Sequence, residues 1–140
     1  MKKFLKRGCG ITALLLLITG ALLVGGFLYT TKYKISDIAS SLSSDGLYEL
    51  LYQSVGEPDW PFGDSHAQFV LKRNGKIITK YQFDVANDGS ILYPDSWRVT
   101  WKENGAEVLI SGEEQPDILY TLSFDGTVRK GSAAITEQIK

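Results

Sequence analysis

The sequence predicts an α+β chain: an N-terminal helix that crosses a membrane, then a small domain in which one helix packs on an antiparallel β-meander of about five or six strands. Three observations carry this prediction. No charged residue occurs from Gly8 to Thr31. Apolar residues recur at helical spacing between Ile35 and Val55. From His66 onward, apolar and polar residues alternate in runs broken by Asn-Gly and Asp-Gly pairs.

Within the charge-free stretch, Ile11 to Tyr29 gives about 19 residues of apolar sequence, which at about 1.5 Å per residue matches the ~30 Å hydrocarbon thickness of a bilayer. Helix is the default spanning structure because no water is present to satisfy backbone groups. Tyr29 and Tyr33 stand where interfacial aromatics are expected. Lys2, Lys3, Lys6 and Arg7 precede the span, whereas Lys32 and Lys34 follow it and are soon offset by Asp37. The positive-inside rule therefore puts Met1 in the cytoplasm and the rest of the chain outside the cell membrane. The expected organisation is a cytoplasmic basic segment (1–10), a transmembrane helix (11–30), a membrane-proximal stalk or helix (31–44), an extracytoplasmic domain (45–130) and a polar tail (131–140). The alternative is a cleaved signal peptide and a secreted domain, with Val24-Gly25-Gly26 supplying small residues near a cut. Against it, the apolar run continues through Phe27 and Leu28. Ala21-x-x-x-Gly25 has the spacing of small residues that permits helix pairing and hence a homodimer, a spacing also common by chance.

Charge divides the chain. Met1 to Lys34 holds six basic residues and no acid, while the remainder holds nine basic and all sixteen acidic residues. A domain with scattered Lys and Arg among carboxylates is not built to displace phosphate counterions, which argues against nucleic acid as a partner. The one cysteine, Cys9, precedes the apolar run, so no intrachain disulfide can form. A disulfide-free domain outside the cytoplasm is compatible with a bacterial surface, and the layout resembles that of small single-pass proteins of Gram-positive bacteria.

From Lys34 to about Gly56 the spacing of Ile35, Ile38 and Leu42, and then of Leu47, Leu50, Leu51 and Val55, reads as helical. Ser44 or Asp45 is placed to cap the second segment, and Gly56 and Pro58 to stop it. Period-two runs follow. Ala67, Phe69 and Leu71 share a face up to the Asn74-Gly75 hairpin, and Ile77, Tyr81, Phe83 and Val85 share one up to Asn87-Asp88-Gly89. Ile91 to Tyr93 reads as a short strand or lead-in. Trp97, Val99 and Trp101 precede a hairpin at Asn104-Gly105. Val108 and Ile110 come next, then Ile118, Tyr120, Leu122 and Phe124, and Asp125-Gly126 turns into Thr127 to Arg129. One helix followed by a curved antiparallel meander resembles the cystatin-like architecture in element order. A small meander barrel with the helix as a cap is the alternative.

Chemistry is sparsely signalled. A single His and a cysteine across the membrane leave no Cys–His pair, and no nucleotide, zinc or serine-hydrolase motif occurs, so no catalytic, metal or cofactor residues are assigned. His66 reads as an exposed strand residue. Asp84, Asn87, Asp88 and Asp95 cluster around Gly89, but Ala86 breaks the calcium-loop pattern and turn chemistry accounts for them. The most distinctive segment is Gly56 to Ser65. There Trp60 and Phe62 are expected to plug the end of the core, or else to join Asp59 and Asp64 in a rigid partner-binding loop. The acidic loop of Glu113, Glu114 and Asp117 could attract a basic partner. These features suggest a membrane-tethered interaction module, with an envelope protein as partner. The alternative is an extracytoplasmic hydrolase working through paired carboxylates.

Overall fold

The computed structural model describes residues 2–132. Met1 and residues 133–140, which include most of the expected polar tail, lie outside the described residues, as do the side chains of Cys9 and the basic residues before it. Helix α1 (Lys2–Leu28) continues as a π-helical turn, Tyr29–Tyr33, in which the Lys34 amide donates to the Tyr29 carbonyl at 2.9 Å. The Thr30 and Thr31 hydroxyls donate to carbonyls of the preceding turn, satisfying acceptors where the helix ends. The helical run Gly10–Tyr33 is 24 residues long, apolar enough to cross a membrane, and, among the described residues, exposed over its apolar stretch.

Eight strands follow: β1 (Ile35–Leu42), β2 (Tyr48–Val55), β3 (Ser65–Arg73), β4 (Lys76–Val85), β5 (Trp97–Lys102), β6 (Gly105–Ile110), β7 (Ile118–Ser123) and β8 (Val128–Ser132). They pair antiparallel in chain order as two four-stranded sheets, β1-β2-β3-β4 and β5-β6-β7-β8. The chain is α+β in the coarse sense of one helix plus antiparallel sheets. The cystatin-like arrangement is absent, because the helix expected over 34–56 is replaced by β1 and β2. Nor do the strands close into a single barrel.

The helix-like spacing of β1 and β2 has physical causes. A bulge between Asp37 and Ala39 shifts the parity of β1, so Ile35, Ile38 and Leu42 fall at helix-like intervals along a strand. Strand β2 is central and buried on both sides: Leu50 and Tyr52 face the core while Leu51 packs on the outer face, so alternation is lost. The capping residues serve a turn instead. Asp45 accepts the Leu47 amide at 3.0 Å and Ser43 Oγ accepts the Tyr48 amide at 2.9 Å, the same side-chain-to-amide bonds that would start a helix. Gly56 does adopt positive φ, at +72°, but where β2 leaves its sheet.

Bulges and close contacts shape the other elements too. A second bulge, in β4, pairs Lys72 with Ile77 but Leu71 with Thr79, which turns Ile77 outward and leaves Tyr81, Phe83 and Val85 inside. The β5–β6 hairpin turns at Glu103-Asn104, one residue earlier than expected. Gly105 begins β6 because a Cβ there would lie 2.0 Å from the Leu122 carbonyl oxygen. Ile91–Tyr93 is irregular and leads into a 3₁₀ turn, Pro94–Ser96. Strand β8 includes Gly131 and Ser132, placed in the tail by sequence.

One core lies between the sheets and is largely aromatic. Phe69 and Phe83 of the first sheet meet Tyr120 of the second at 5.4 and 4.9 Å between ring centroids, and Tyr52 stacks on Trp97 at 5.5 Å. The Trp101 indole donates to Ser41 Oγ at 2.9 Å, so β5 lies across from β1 and β2 while β7 lies across from β3 and β4. The β4–β5 link must therefore cross the whole end of the sandwich, and it buries Leu92 in the core on the way.

The Tyr120 hydroxyl is buried in this core with no hydrogen-bond partner, and burial, with nearby Tyr81 second, pushes its pKa up to about 12. An unpaired buried hydroxyl is a net cost. Tyr120→Phe is expected to stabilise the full chain in detergent by about 1 kcal/mol, read as a higher urea midpoint. An unchanged or lower midpoint contradicts this view of the core.

Candidate functional site

The two ends of the sandwich are built differently. At the end far from α1 the strands are joined by tight hairpins, and Tyr48 stacks on Phe124 at 3.7 Å to close the core. All the long connections gather at the end where α1 enters: the β2–β3 loop (56–64), the β4–β5 link (86–96) and the β6–β7 loop (111–117). They are stitched together through the backbone. The Gly89 amide donates to the Gly63 carbonyl at 2.8 Å, the Glu114 amide to the Ala86 carbonyl at 3.1 Å, and the Glu57 amide to the Thr31 carbonyl at the helix end at 2.9 Å. Two glycines permit this close approach. A Cβ at Gly56 would lie 2.4 Å from the Thr31 carbonyl oxygen, and one at Gly89 would lie 2.7 Å from that of Pro61.

These loops carry Glu57, Asp59, Asp64, Asp88, Asp95, Glu113, Glu114 and Asp117, half of the chain's sixteen acids, and no Lys or Arg. The two segments singled out by sequence are thus brought to one end. Glu113, Glu114 and Asp117 are exposed on the β6–β7 loop. Trp60 and Phe62 are not a plug: Trp60 is 93% exposed and Phe62 73%. The core end they were expected to fill is closed by Leu92 from the β4–β5 link. Asn87 serves the same link, donating to the Ser90 carbonyl and accepting the Glu113 amide. Among the described residues no cluster of three or more His, Cys, Asp or Glu side chains is placed to hold a metal ion.

Beneath the loops a cleft of about 360 Å³ opens between the helix-proximal ends of β1 and β2 and the β4–β5 link, lined by Lys34, Asp37, Ile38, Glu57, His66 and Leu92 among others. His66 is its anchored polar group. Its Nδ1 lies 2.7 Å from Asp84 Oδ1 and its Nε2 3.4 Å from Asp59 Oδ1, so the imidazole is held between two carboxylates and half-buried, not free on the strand. Ser65 is no nucleophile for it: its hydroxyl donates to the Ser90 carbonyl on the other face of β3. On the outer face beyond His66, Gln68 donates to Gln53 and Gln53 to Asp37, each at 2.6 Å, forming an amide ladder that leads to the cleft. Sequence alone does not find the His66–Asp84 pair. A regular hairpin at Asn74-Gly75 would set His66 opposite Phe83, and the β4 bulge moves the register by one to Asp84.

Comparison with protein-family models, with curated proteins and with solved structures found no match.

The hydrogen bond to Asp84 is the main reason that the His66 pKa is raised above its ordinary 6.5, with Asp59 adding to it against partial desolvation. A raised folded-state value means that folding favours the imidazolium, so the stabilisation is full below about pH 6.5 and fades as pH rises through the folded value. His66→Gln should therefore lower the urea midpoint most between the carboxylate range and about pH 6.5, with the gap from the parent chain narrowing above that. A gap that is constant or widens with pH contradicts the double-carboxylate clamp.

Proposed function

We propose that the chain is a single-pass membrane-anchored protein with its N-terminus in the cytoplasm, and that its β-domain is an extracytoplasmic binding module whose helix-proximal end takes a basic segment of an envelope protein. The observation that carries this reading is the concentration of eight carboxylates, without one Lys or Arg, on three loops gathered at the helix-proximal end, two of which line the cleft with Glu57, Pro58, Ile91 and Leu92. Such a rim steers a cationic partner toward the cleft and repels acidic ones. The cleft offers Ile38 and Leu92 for apolar contact, with Asp37 and Glu57 as acceptors for Lys or Arg donors.

Binding fits the geometry better than carboxylate hydrolysis does, since Asp59 and Asp84, beside the cleft, are both committed to His66 and Asp37 accepts from Gln53, which leaves Glu57 without a second uncommitted carboxylate in the cleft lining. Retention of the anchor is supported by the way Gly56 and Glu57 hydrogen-bond to Lys34 and Thr31, which ties the helix end into the domain. Pairing of two helices through Ala21 and Gly25 is compatible with their exposed positions and is kept as a secondary feature of this proposal.

The test is titration of the full chain in nanodiscs with a Lys- and Arg-rich peptide, compared with the Glu113→Lys/Glu114→Lys/Asp117→Lys variant. The expected result is salt-sensitive binding weakened about tenfold or more by the charge reversal, equivalent to about 1.4 kcal/mol. Equal binding by the parent chain and the variant contradicts the proposal, as does an equal preference for an acidic peptide.

A further inference from the structure

We infer that the tip Trp60-Pro61-Phe62 is a second membrane contact, seated in the headgroup–acyl boundary of the bilayer that α1 crosses; this rests on the anchored reading above and is independent of what the cleft binds. The tip presents two large side chains, 93% and 73% exposed, in a loop otherwise dominated by acids. The loop is braced at its base, with Asp59 beside His66, the Asp59 amide donating to the Asp64 carbonyl at 3.0 Å and the Gly63 amide to the Asp59 carbonyl at 2.8 Å. These bonds hold the aromatic tip outward on a rigid base.

The position of the tip along α1 selects the occupant. A groove of about 530 Å³ separates the loop from the helix, with Trp60, Pro58 and Ile91 on one side and Phe27, Thr31 and Lys32 on the other. Phe27 belongs to the run long enough to span a bilayer, so Trp60 faces a residue of the span itself. The Glu57–Thr31 hydrogen bond fixes that height. Tyr29 and Tyr33 on the helix, and Ile91 and Tyr93 on the β4–β5 link, are also more than half exposed, and Ile91 lines the same groove. Trp and Tyr rings, apolar with one polar handle, are the side chains best suited to the boundary between headgroups and acyl chains. Asp59, Asp64 and Asp88 beside the tip are repelled by anionic headgroups, which keeps the contact shallow and makes it strongest on zwitterionic lipid. A single helix leaves the tilt of the helix and its tethered domain unset, whereas a second contact fixes it.

The full chain reconstituted in phosphatidylcholine vesicles tests this through tryptophan emission, with Trp60→Phe supplying the Trp60 share by difference. Because Trp60 touches little of the fold, the variant keeps the parent structure. Flotation with the vesicles after an alkaline wash reports the anchor separately. The expected result is a Trp60 emission shifted to the blue, quenched by lipids brominated near the headgroup and shielded from aqueous acrylamide. A Trp60 emission quenched by acrylamide and blind to brominated lipid overturns the inference while flotation still upholds the anchor. Shielding from acrylamide without quenching by brominated lipid also overturns it, because a second copy of the chain would then cover the tip. Failure to float would instead remove the anchored reading itself.

Discussion

The contact of Phe69 and Phe83 with Tyr120, and of Tyr52 with Trp97, is what makes two separate sheets into one domain. Among the described residues no strand pairs across the sandwich, so no backbone ladder joins β4 to β5 or β8 to β1. Cohesion between the sheets comes from side-chain burial and ring packing, with single polar links such as Trp101 to Ser41 at the margins. Aromatic side chains suit this task because each buries a large area at the cost of few rotamers.

The same packing dictates where the loops go. Since β5 lies opposite β1 and β2, the chain leaving β4 has to cross the end of the core before it can begin β5. That link closes the core with Leu92, borders the cleft, and supports the neighbouring loops through Gly89 and Asn87. The distal end needs only hairpins. Acids and exposed aromatics accumulate at the helix-proximal end, where long connections leave side chains free of packing. Tethering this end to α1 places the chain's most varied surface next to the membrane-length helix, which is the physical basis of the binding role proposed for it.

Much of this architecture was legible in sequence. The charge-free run marks α1, and the alternation from His66 onward marks β3 to β8 because each of those strands has one wet face or a clear turn at its end. β1 and β2 were hidden. A bulge gave β1 a helical spacing, double-sided burial removed alternation from β2, and the Ser43–Asp45 turn uses the bonds of a helix cap. At the candidate site the distinctive residues were recognisable, Trp60 and Phe62 by type and Glu113, Glu114 and Asp117 by charge. Their convergence was not, since it depends on how the sheets stack. The His66–Asp84 pair depended on one extra residue in β4, which no turn signal encodes.

A double-mutant cycle between Phe69 and Tyr120, using Phe69→Leu and Tyr120→Leu in the full chain, tests the shared core most directly. These residues lie on different sheets and meet at 5.4 Å in an edge-on arrangement. The account predicts a coupling of about 0.5–1.5 kcal/mol in unfolding free energy. Additivity within about 0.3 kcal/mol would mean that the sheets do not pack through these rings and would contradict the arrangement from which the crossing link, the cleft and the loop cluster all follow.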